Sequence, residues 1–194
     1  MIYAARHGET TWNLEGRIQG RSESFLTPKG IAQAQALGEQ LKDISFDAAF
    51  CSPLARAKDT CDIILGEGSL KAVCEPALIE QDFGEVTGTI DSFMSFWNLK
   101  KPRTAKGMES LDKMERRIFP FIQKLVDEYQ DKNVLVVTHQ GPLFIFENFF
   151  GNAPADGDYA PLRLRGGGYR VYDAKTKKRV MQVGLSKSGL DFKG

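Results

Sequence analysis

Short runs rich in Val, Ile, Phe and Tyr alternate along the chain with longer segments of helical period. This alternation restricts the fold most, because strands separated by helix-length crossovers build an α/β sheet whose faces are covered by helices. Strands are expected at Met1 to Ala5, Ala48 to Cys51, Ala72 to Cys74, Asn133 to Thr138 and Tyr169 to Asp173, with a last one from Arg179 to Val183. Thr27-Pro28, a hydroxyl N-cap followed by proline at the first helical position, predicts a helix with Ile31, Ala34, Leu37 and Leu41 on its apolar side. Ser52-Pro53 predicts a second by the same logic, with Arg56 in its first turn, Ala57, Cys61 and Ile64 along one stripe, and Gly66 at its end. A third begins near Ser110 and places Leu111, Met114, Ile118, Phe121, Leu125 and Tyr129 at helical spacing, with Pro120 expected to kink it and Arg116-Arg117 on a solvated face.

Between about Gly84 and Gly107 the period is lost among glycines, Pro102 and the basic cluster Lys100, Lys101, Arg103 and Lys106. This segment is expected to be a small lid or cap on a single domain spanning residues 1–194, and the closing S-K-S-G-L-D-F-K-G is expected to be poorly ordered. A chain of 194 residues, 42% of them hydrophobic, can bury one core without disulfides or metal. With 26 Lys+Arg against 25 Asp+Glu it lacks the basic surplus that nucleic acid or an anionic membrane needs. The longest apolar runs, Val134 to Val137 and Pro142 to Phe146, are far shorter than the ~20 residues that cross a bilayer. No basic region followed by an apolar leader precedes the first strand, so the expected compartment is the cytoplasm. Cys51, Cys61 and Cys74 show no C-x-x-C spacing and are expected to be buried reduced thiols.

The only two histidines, His7 and His139, both sit where an expected strand gives way to a glycine-containing loop, in A-A-R-H-G and V-V-T-H-Q-G. In a parallel sheet such loops lie at the carboxyl edge, where sites assemble. One such histidine suits a structural role; two in equivalent contexts point to a site. A third junction, F-C-S-P-L-A-R, adds Arg56 beside a helix N-terminus. Arg6, Arg56 and that helix end are expected to converge on a phosphate-like group, whose oxygens a guanidinium fork matches. Taken alone, Arg56 suits a surface helix position equally well.

These motifs together resemble the histidine phosphatase superfamily, the phosphoglycerate mutase-like proteins. The resemblance runs through R-H-G-E-T-T-W-N-L-E-G-R-I-Q-G from Arg6 to Gly20, L-T-P-K-G-I-A-Q-A-Q-A-L-G, C-S-P-L-A-R-A-K-D-T, L-I-E-Q-D-F-G-E-V-T-G, G-M-E-S and V-L-V-V-T-H-Q-G, covering nearly the whole chain in order. It implies a three-layer α/β/α sandwich with a mostly parallel central sheet. It implies that His7 takes the phosphoryl group, that Arg6, Arg56 and His139 form the phosphate pocket, and that Asn13 and Gln19 are further ligands. Glu80 corresponds to the residue that protonates the leaving oxygen and then activates water, a role suited to a carboxyl pKa raised by burial. Asp82 and Glu85 are neighbouring carboxylates that remain candidates. No metal or other cofactor is implied, and the sequence offers no metal-ligand spacing.

The chain departs from the family's pattern in three places. Glu23-Ser24-Phe25 stands where Asp-x-Pro is common, and His139-Gln140-Gly141 stands in place of His-Gly-Gly. Gln140 either adds its amide to the pocket or points away. The stretch from Arg163 to Gly168 has no counterpart and is unassigned.

Mutases of the family usually carry a larger insertion after the glutamate motif, which keeps water from the intermediate. The compact segment here predicts instead a phosphomonoester hydrolase that acts on a small phosphorylated metabolite through a phosphohistidine. Phosphoglycerate mutase is the alternative, and a catalytically poor phosphate-ester-binding regulator a further one, which would be expected to lack a core catalytic residue. Specificity is expected to reside in the lid. The basic cluster there suggests a second anionic group on the substrate, though it reads equally as a solvated loop.

Overall fold

The structure, a computed structural model, describes residues 1–90, 96–98 and 104–185. Six strands, β1 (Ile2–Arg6), β2 (Ala48–Cys51), β3 (Val73–Cys74), β4 (Val134–Thr138), β5 (Leu164–Asp173) and β6 (Lys178–Leu185), form one sheet in the order β3-β2-β4-β1-β5-β6. The first four in that order are parallel, and β5 and β6 continue the sheet antiparallel beyond β1. The helices are α1 (Thr11–Leu14), α2 (Pro28–Leu41), α3 (Ala55–Leu65), α4 (Leu111–Glu128) and α5 (Gln140–Phe149).

The pleat of the central strand divides the core. β4 is buried along its whole length, as a strand covered on both faces must be. Val134 and Val136 face a core shared with Ile118, Phe121, Leu125 and Phe144 of α4 and α5, while Leu135 and Val137 face Leu37, Leu41, Ala57 and Cys61 of α2 and α3. This is the expected three-layer sandwich. Each fully buried aliphatic side chain contributes roughly 1.5–3 kcal/mol, so truncation of Leu135 or Ile118 would loosen one layer from the sheet.

Thr27 caps α2 by accepting from Gly30 N at 3.0 Å, and Ser110 caps α4 by accepting from Lys113 N at 3.3 Å, both as expected. α4 runs unbroken past Pro120. Several expectations need correction. α3 opens at Ala55, and its cap comes from a distant residue: Glu23 Oε2 accepts from Ala55 N at 3.1 Å, which leaves Ser52 for another partner. α2 turns Gly30 rather than Ile31 inward, because Thr27 N donates to Glu9 O and holds the first turn against the loop after β1; Ile31 is 40% exposed. Arg116 is solvated, but Arg117 is half-buried and forks onto Glu109 at 2.8 and 3.0 Å. Cys51 and Cys61 are buried, whereas Cys74 is exposed because β3 is the edge strand.

The glycine-rich stretch after Arg163 is the start of β5, five residues earlier than expected. A Cβ at Gly166 would collide with Gln33 Oε1, so glycine is what lets α2 lie against this strand. Of the expected lid, Phe96 and Trp97 are buried in the core, with the Trp97 ring 4.7 Å from that of Phe144. Lys106 is exposed, while Lys100, Lys101 and Arg103 lie outside the described residues, as does the tail from 186 onward. No helix among the described residues is long and apolar enough to cross a membrane.

Candidate active site

Adjacent parallel strands release their chains at one edge. β1 ends at Arg6, paired with Thr138 at the end of β4, and His7 N still donates to Thr138 O at 3.0 Å. Ser52, just past β2, donates its N–H to Val137 O at 3.0 Å. His7, Ser52 and His139 are therefore neighbours although the sequence scatters them. The two imidazoles stand 5.1 Å apart between ring centroids, and His139 Nε2 meets Ser52 Oγ at 2.7 Å. This bond explains why Ser52 does not cap α3.

A pocket opens in front of His7, with about 480 Å³ of non-atom space that is partly open to solvent. Arg6, His7, Asn13, Gln19, Arg56, Glu80 and Gln140 all lie on its wall. Buried His139 stands beside His7 but off the wall, with its Nδ1 lacking a partner among the described residues. Asp82 and Glu85 are not on the wall: Asp82 accepts from Gly84 N at 2.8 Å, and exposed Glu85 from Lys106 N at 3.1 Å. The α3 N-terminus, expected to help bind an anion, is already engaged by Glu23.

His7 Nδ1 lies 2.7 Å from Gly8 O. A carbonyl oxygen can only accept, so the neutral ring carries its proton on Nδ1 and keeps the Nε2 lone pair. Burial, and after it the charges of Arg56 and Arg6, hold the His7 pKa well below its ordinary value, so the ring is neutral at pH 7. His139 is lowered in the same direction by burial and then by Arg56.

Both arginines are oriented by backbone carbonyls rather than by carboxylates. Arg6 Nη1 donates to Leu164 O at 2.6 Å, while Arg56 Nη1 and Nη2 donate to Ser22 O and Gly20 O at 2.8 Å each. A carbonyl orients a guanidinium without neutralising it. Burial lowers the Arg6 pKa to about 9, helped by the charge of Arg163, and lowers that of Arg56 to about 10. Each Nε is buried without a partner among the described residues.

Glu80 Oε1 accepts from Gln81 N at 2.8 Å and from Gly141 N at 3.1 Å. A Cβ at residue 141 would collide with Oε1, so the glycine after Gln140 permits this contact. Burial raises the Glu80 pKa against the opposing pull of the Gln81 N–H and of Arg56, Arg117 and Arg6. Behind it, Arg21 Nε and Arg117 Nη2 approach Glu80 O at 3.3 and 3.4 Å, and both arginines pair with Glu109. Asn13 Oδ1 accepts from Thr10 N in a capping box, leaving its NH2 group as the donor for the pocket. Gln140 Oε1 accepts from Leu164 N at 2.9 Å, and its buried Nε2 has no partner among the described residues.

Sequence reasoning missed Arg17, Phe83 and Arg163 on this wall. Arg17 lies inside the first motif, where its position was a usable signal; Arg163 gave none. Among the described residues no group of three or more His, Cys, Asp or Glu is arranged to hold a metal ion.

The chain is 29% identical over 194 residues to the adenosylcobalamin/alpha-ribazole phosphatase of Escherichia coli (strain K12), covering 94% of each chain. It is 33% identical over 158 residues to a 2,3-bisphosphoglycerate-dependent phosphoglycerate mutase of Allorhizobium ampelinum, covering 73% of this chain and 75% of the mutase. The solved structure of Bacillus stearothermophilus YhfR superimposes with a TM-score of 0.82 at 27% identity, over 97% of this chain and 98% of that one. A model of the histidine phosphatase superfamily (branch 1) matches residues 2–165, and the chain belongs to that superfamily.

Proposed function

We propose that the protein is a phosphomonoesterase that moves the phosphoryl group of a small phosphorylated metabolite first to His7 Nε2 and then to water. The observation that carries this reading is the state of His7: neutral, with Nδ1 tied to Gly8 O and Nε2 left as the lone pair of a pocket walled by two carbonyl-oriented guanidiniums. Arg6 and Arg56 supply the positive charge for the phosphate oxygens, before and during transfer, without a metal ion or other cofactor. Asn13, Gln19 and Gln140 offer further polar contacts. Ser52 Oγ, hydrogen-bonded to His139 Nε2 at 2.7 Å, fixes the second imidazole next to His7.

In the first step the Nε2–P bond forms as the ester P–O bond breaks, and Glu80, whose hold on a proton is strengthened by burial, gives its proton to the departing oxygen. In the second, the Glu80 carboxylate takes a proton from water, the water oxygen bonds to phosphorus, and the N–P electrons return to His7. Relatives of both kinds span this chain, a phosphatase over 94% of it and a mutase over 96%, so support for hydrolysis comes from the compact segment between Gly84 and Gly107, which is short of the larger insertion that keeps water from the intermediate in mutases. Three unbonded thiols, two of them 3.9 Å apart at Cys51 and Cys74, fit a cytoplasmic location.

The test is phosphate release from a panel of small phosphate esters in EDTA, wild type against His7→Ala. The expected result is loss of release by about 10³-fold or more in the variant, with an acid-labile phosphoenzyme trapped only in the wild type. Release that survives His7→Ala would overturn the reading. Turnover of 3-phosphoglycerate with 2,3-bisphosphoglycerate, without comparable hydrolysis, would assign the chain to the mutases. Tight ester binding without turnover would make it a regulator.

A further inference from the structure

The G-M-E-S motif, Gly107 to Ser110, puts no side chain on the pocket wall, yet its Glu109 is buried, 9% exposed, and its bonds gather behind Glu80. Glu109 Oε1 and Oε2 accept from Arg117 Nε and Nη2 at 2.8 and 3.0 Å, and Oε2 lies 3.2 Å from Arg21 Nη2. The same two guanidiniums reach the segment that carries Glu80. Arg117 Nη1 donates to Ala77 O at 2.5 Å, while Arg117 Nη2 and Arg21 Nε donate to Glu80 O at 3.4 and 3.3 Å. The next two residues bond to Glu109 itself: Glu109 N donates to Asp82 O at 2.8 Å, Gln81 Nε2 to Glu109 O at 2.9 Å, and Asp82 N to Glu109 Oε2 at 3.4 Å. Polar groups of Ala77, Glu80, Gln81 and Asp82 thus all end on Glu109, directly or through one guanidinium.

The segment needs such a hold. Arg6 ends β1, Arg56 lies in α3 and Gln140 opens α5, so regular structure fixes their backbones. Glu80 instead lies between two 3-10 turns, Pro76–Leu78 and Gly84–Val86, where residues 79–82 belong to neither helix nor strand. Its carboxyl accepts from the N–H of the peptide that follows it, Gln81 N at 2.8 Å, so a shift of that peptide carries the carboxyl with it. Buried ion pairs add little net stability over apolar packing of similar volume, whereas a guanidinium fork that also reaches two carbonyls fixes how the peptides stand.

We propose that Glu109 is a positioning residue for proton transfer: through Arg117, Arg21 and its own backbone it holds the peptides on either side of Gln81, and so sets where the Glu80 carboxyl meets the departing oxygen and then the attacking water. This rests on the phosphomonoesterase reading, with Glu80 as the donor. Arg6 and Arg56 are oriented by Leu164, Ser22 and Gly20, with no bond to Glu109, so phosphate binding does not pass through this clamp. Loss of Glu109 therefore slows the steps that move a proton, and slows the first step most where the departing oxygen is most basic.

The experiment compares wild type, Glu109→Gln, Arg117→Met and Arg117→Lys, with Glu109→Gln also combined with Glu80→Gln. The substrates are 4-nitrophenyl phosphate and the alkyl ester of the panel that wild type hydrolyses best, assayed well below the Tm measured for each protein. Glu109→Gln and Arg117→Met are expected to lower kcat/KM about 10- to 100-fold on the alkyl ester and less than about 3-fold on 4-nitrophenyl phosphate, and Arg117→Lys to restore part of the loss. Slower water activation should let the phosphoenzyme accumulate, seen as a burst of 4-nitrophenolate before slower turnover. In the Glu80→Gln background, Glu109→Gln is expected to change kcat/KM by no more than about 2-fold, because no carboxyl is left to place. Inorganic phosphate should bind every variant with wild-type affinity by calorimetry. Equal losses on both esters, losses that add in the double variant, weakened phosphate binding or unchanged kinetics would each overturn the proposal and leave Glu109 a scaffold residue. If Arg117→Met does not fold, Arg117→Lys and the isosteric Glu109→Gln decide by the same readouts, and failure of all three to fold would also make the clamp scaffold. A wild type that hydrolyses no alkyl ester overturns the phosphomonoesterase reading and the proposal together, whereas an active wild type with uniform losses overturns the proposal alone.

Discussion

Two clusters of buried charge flank the start of β5, and they are built in opposite ways. Around Glu147 the charges answer one another: Arg170 and Glu147, both wholly buried, lie 3.2 Å apart, Arg179 pairs with the other carboxylate oxygen, and Tyr172 Oη donates to Glu147 Oε1 at 2.5 Å. Gln182 Oε1 takes a further bond from Arg170 Nε at 2.7 Å. In the pocket, Arg6 and Arg56 are held by carbonyls, Glu80 by peptide N–H groups, and His7 by Gly8 O. Both clusters orient their side chains, but only the first sets its guanidiniums directly against a carboxylate. A cluster built on a shared carboxylate holds α5, β5 and β6 together; a cluster whose guanidiniums are oriented by carbonyls keeps its positive charge for an anion. The contrast separates scaffold from site without reference to any motif.

The sharpest test of this contrast is Glu80→Gln, which should damage chemistry and spare the fold. Loss of the proton donor and water activator is expected to lower kcat by about 10²- to 10⁴-fold on alkyl esters and less on 4-nitrophenyl phosphate, whose leaving group needs little protonation. Because the folded-state pKa of Glu80 is raised, its stabilising contribution is present below the ordinary value of 4.5 and lost as pH rises through the folded value, so at pH 7.5 the variant should be no less stable than wild type. A large Tm drop with little change in kcat would make Glu80 a scaffold residue.

The reciprocal variant, Glu147→Gln, is next in size. It leaves Arg170 and Arg179 facing each other without a carboxylate, and breaking such a buried pair costs about 3–5 kcal/mol. For a chain of this length that is a fall in Tm of roughly 6–20 °C. Specific activity well below the new Tm should change little. If calorimetry showed no fall, the cluster would not be holding its three elements together.

The same division between local and long-range interactions governs how much could be read from the chain. β2 matches its expected bounds and α2 and α4 open at their expected caps, because alternation, Thr27-Pro28 and Ser110 act within a few residues. Helix α5 gave no period, since Gln140 to Glu147 are buried on every side. The cap of α3 comes from Glu23, the partner of Ser52 is His139, and that of Arg117 is Glu109, all set by folding rather than by neighbours. In the site, Arg6, His7, Asn13, Gln19, Arg56, Glu80 and Gln140 reach one wall because their motifs follow strand ends or loops at the same edge, while the peptide contacts that bring Arg163 there join β5 to Arg6 and Gln140 across the fold.

The smallest expected effect is the response to acid, and it too divides the clusters. His7 and His139 have folded-state pKa values well below the ordinary 6.5, so their contribution to stability is present above 6.5 and lost as pH falls below it, when the unfolded chain binds protons that the folded chain refuses. The loss is at most about 1.4 kcal/mol per pH unit for each histidine, so Tm should decline between pH 6.5 and 5.0. His7→Gln should make the decline shallower. Saturating inorganic phosphate should do the same by giving a His7 imidazolium an anion inside the pocket. Glu147→Gln, by contrast, should lower the whole curve in this range and leave its slope unchanged. A Tm that is flat across the range in wild type, or a slope that neither His7→Gln nor phosphate alters, would show that the histidines are not held neutral by the pocket, and the distinction between a cluster built on a carboxylate and one oriented by carbonyls would lose its basis.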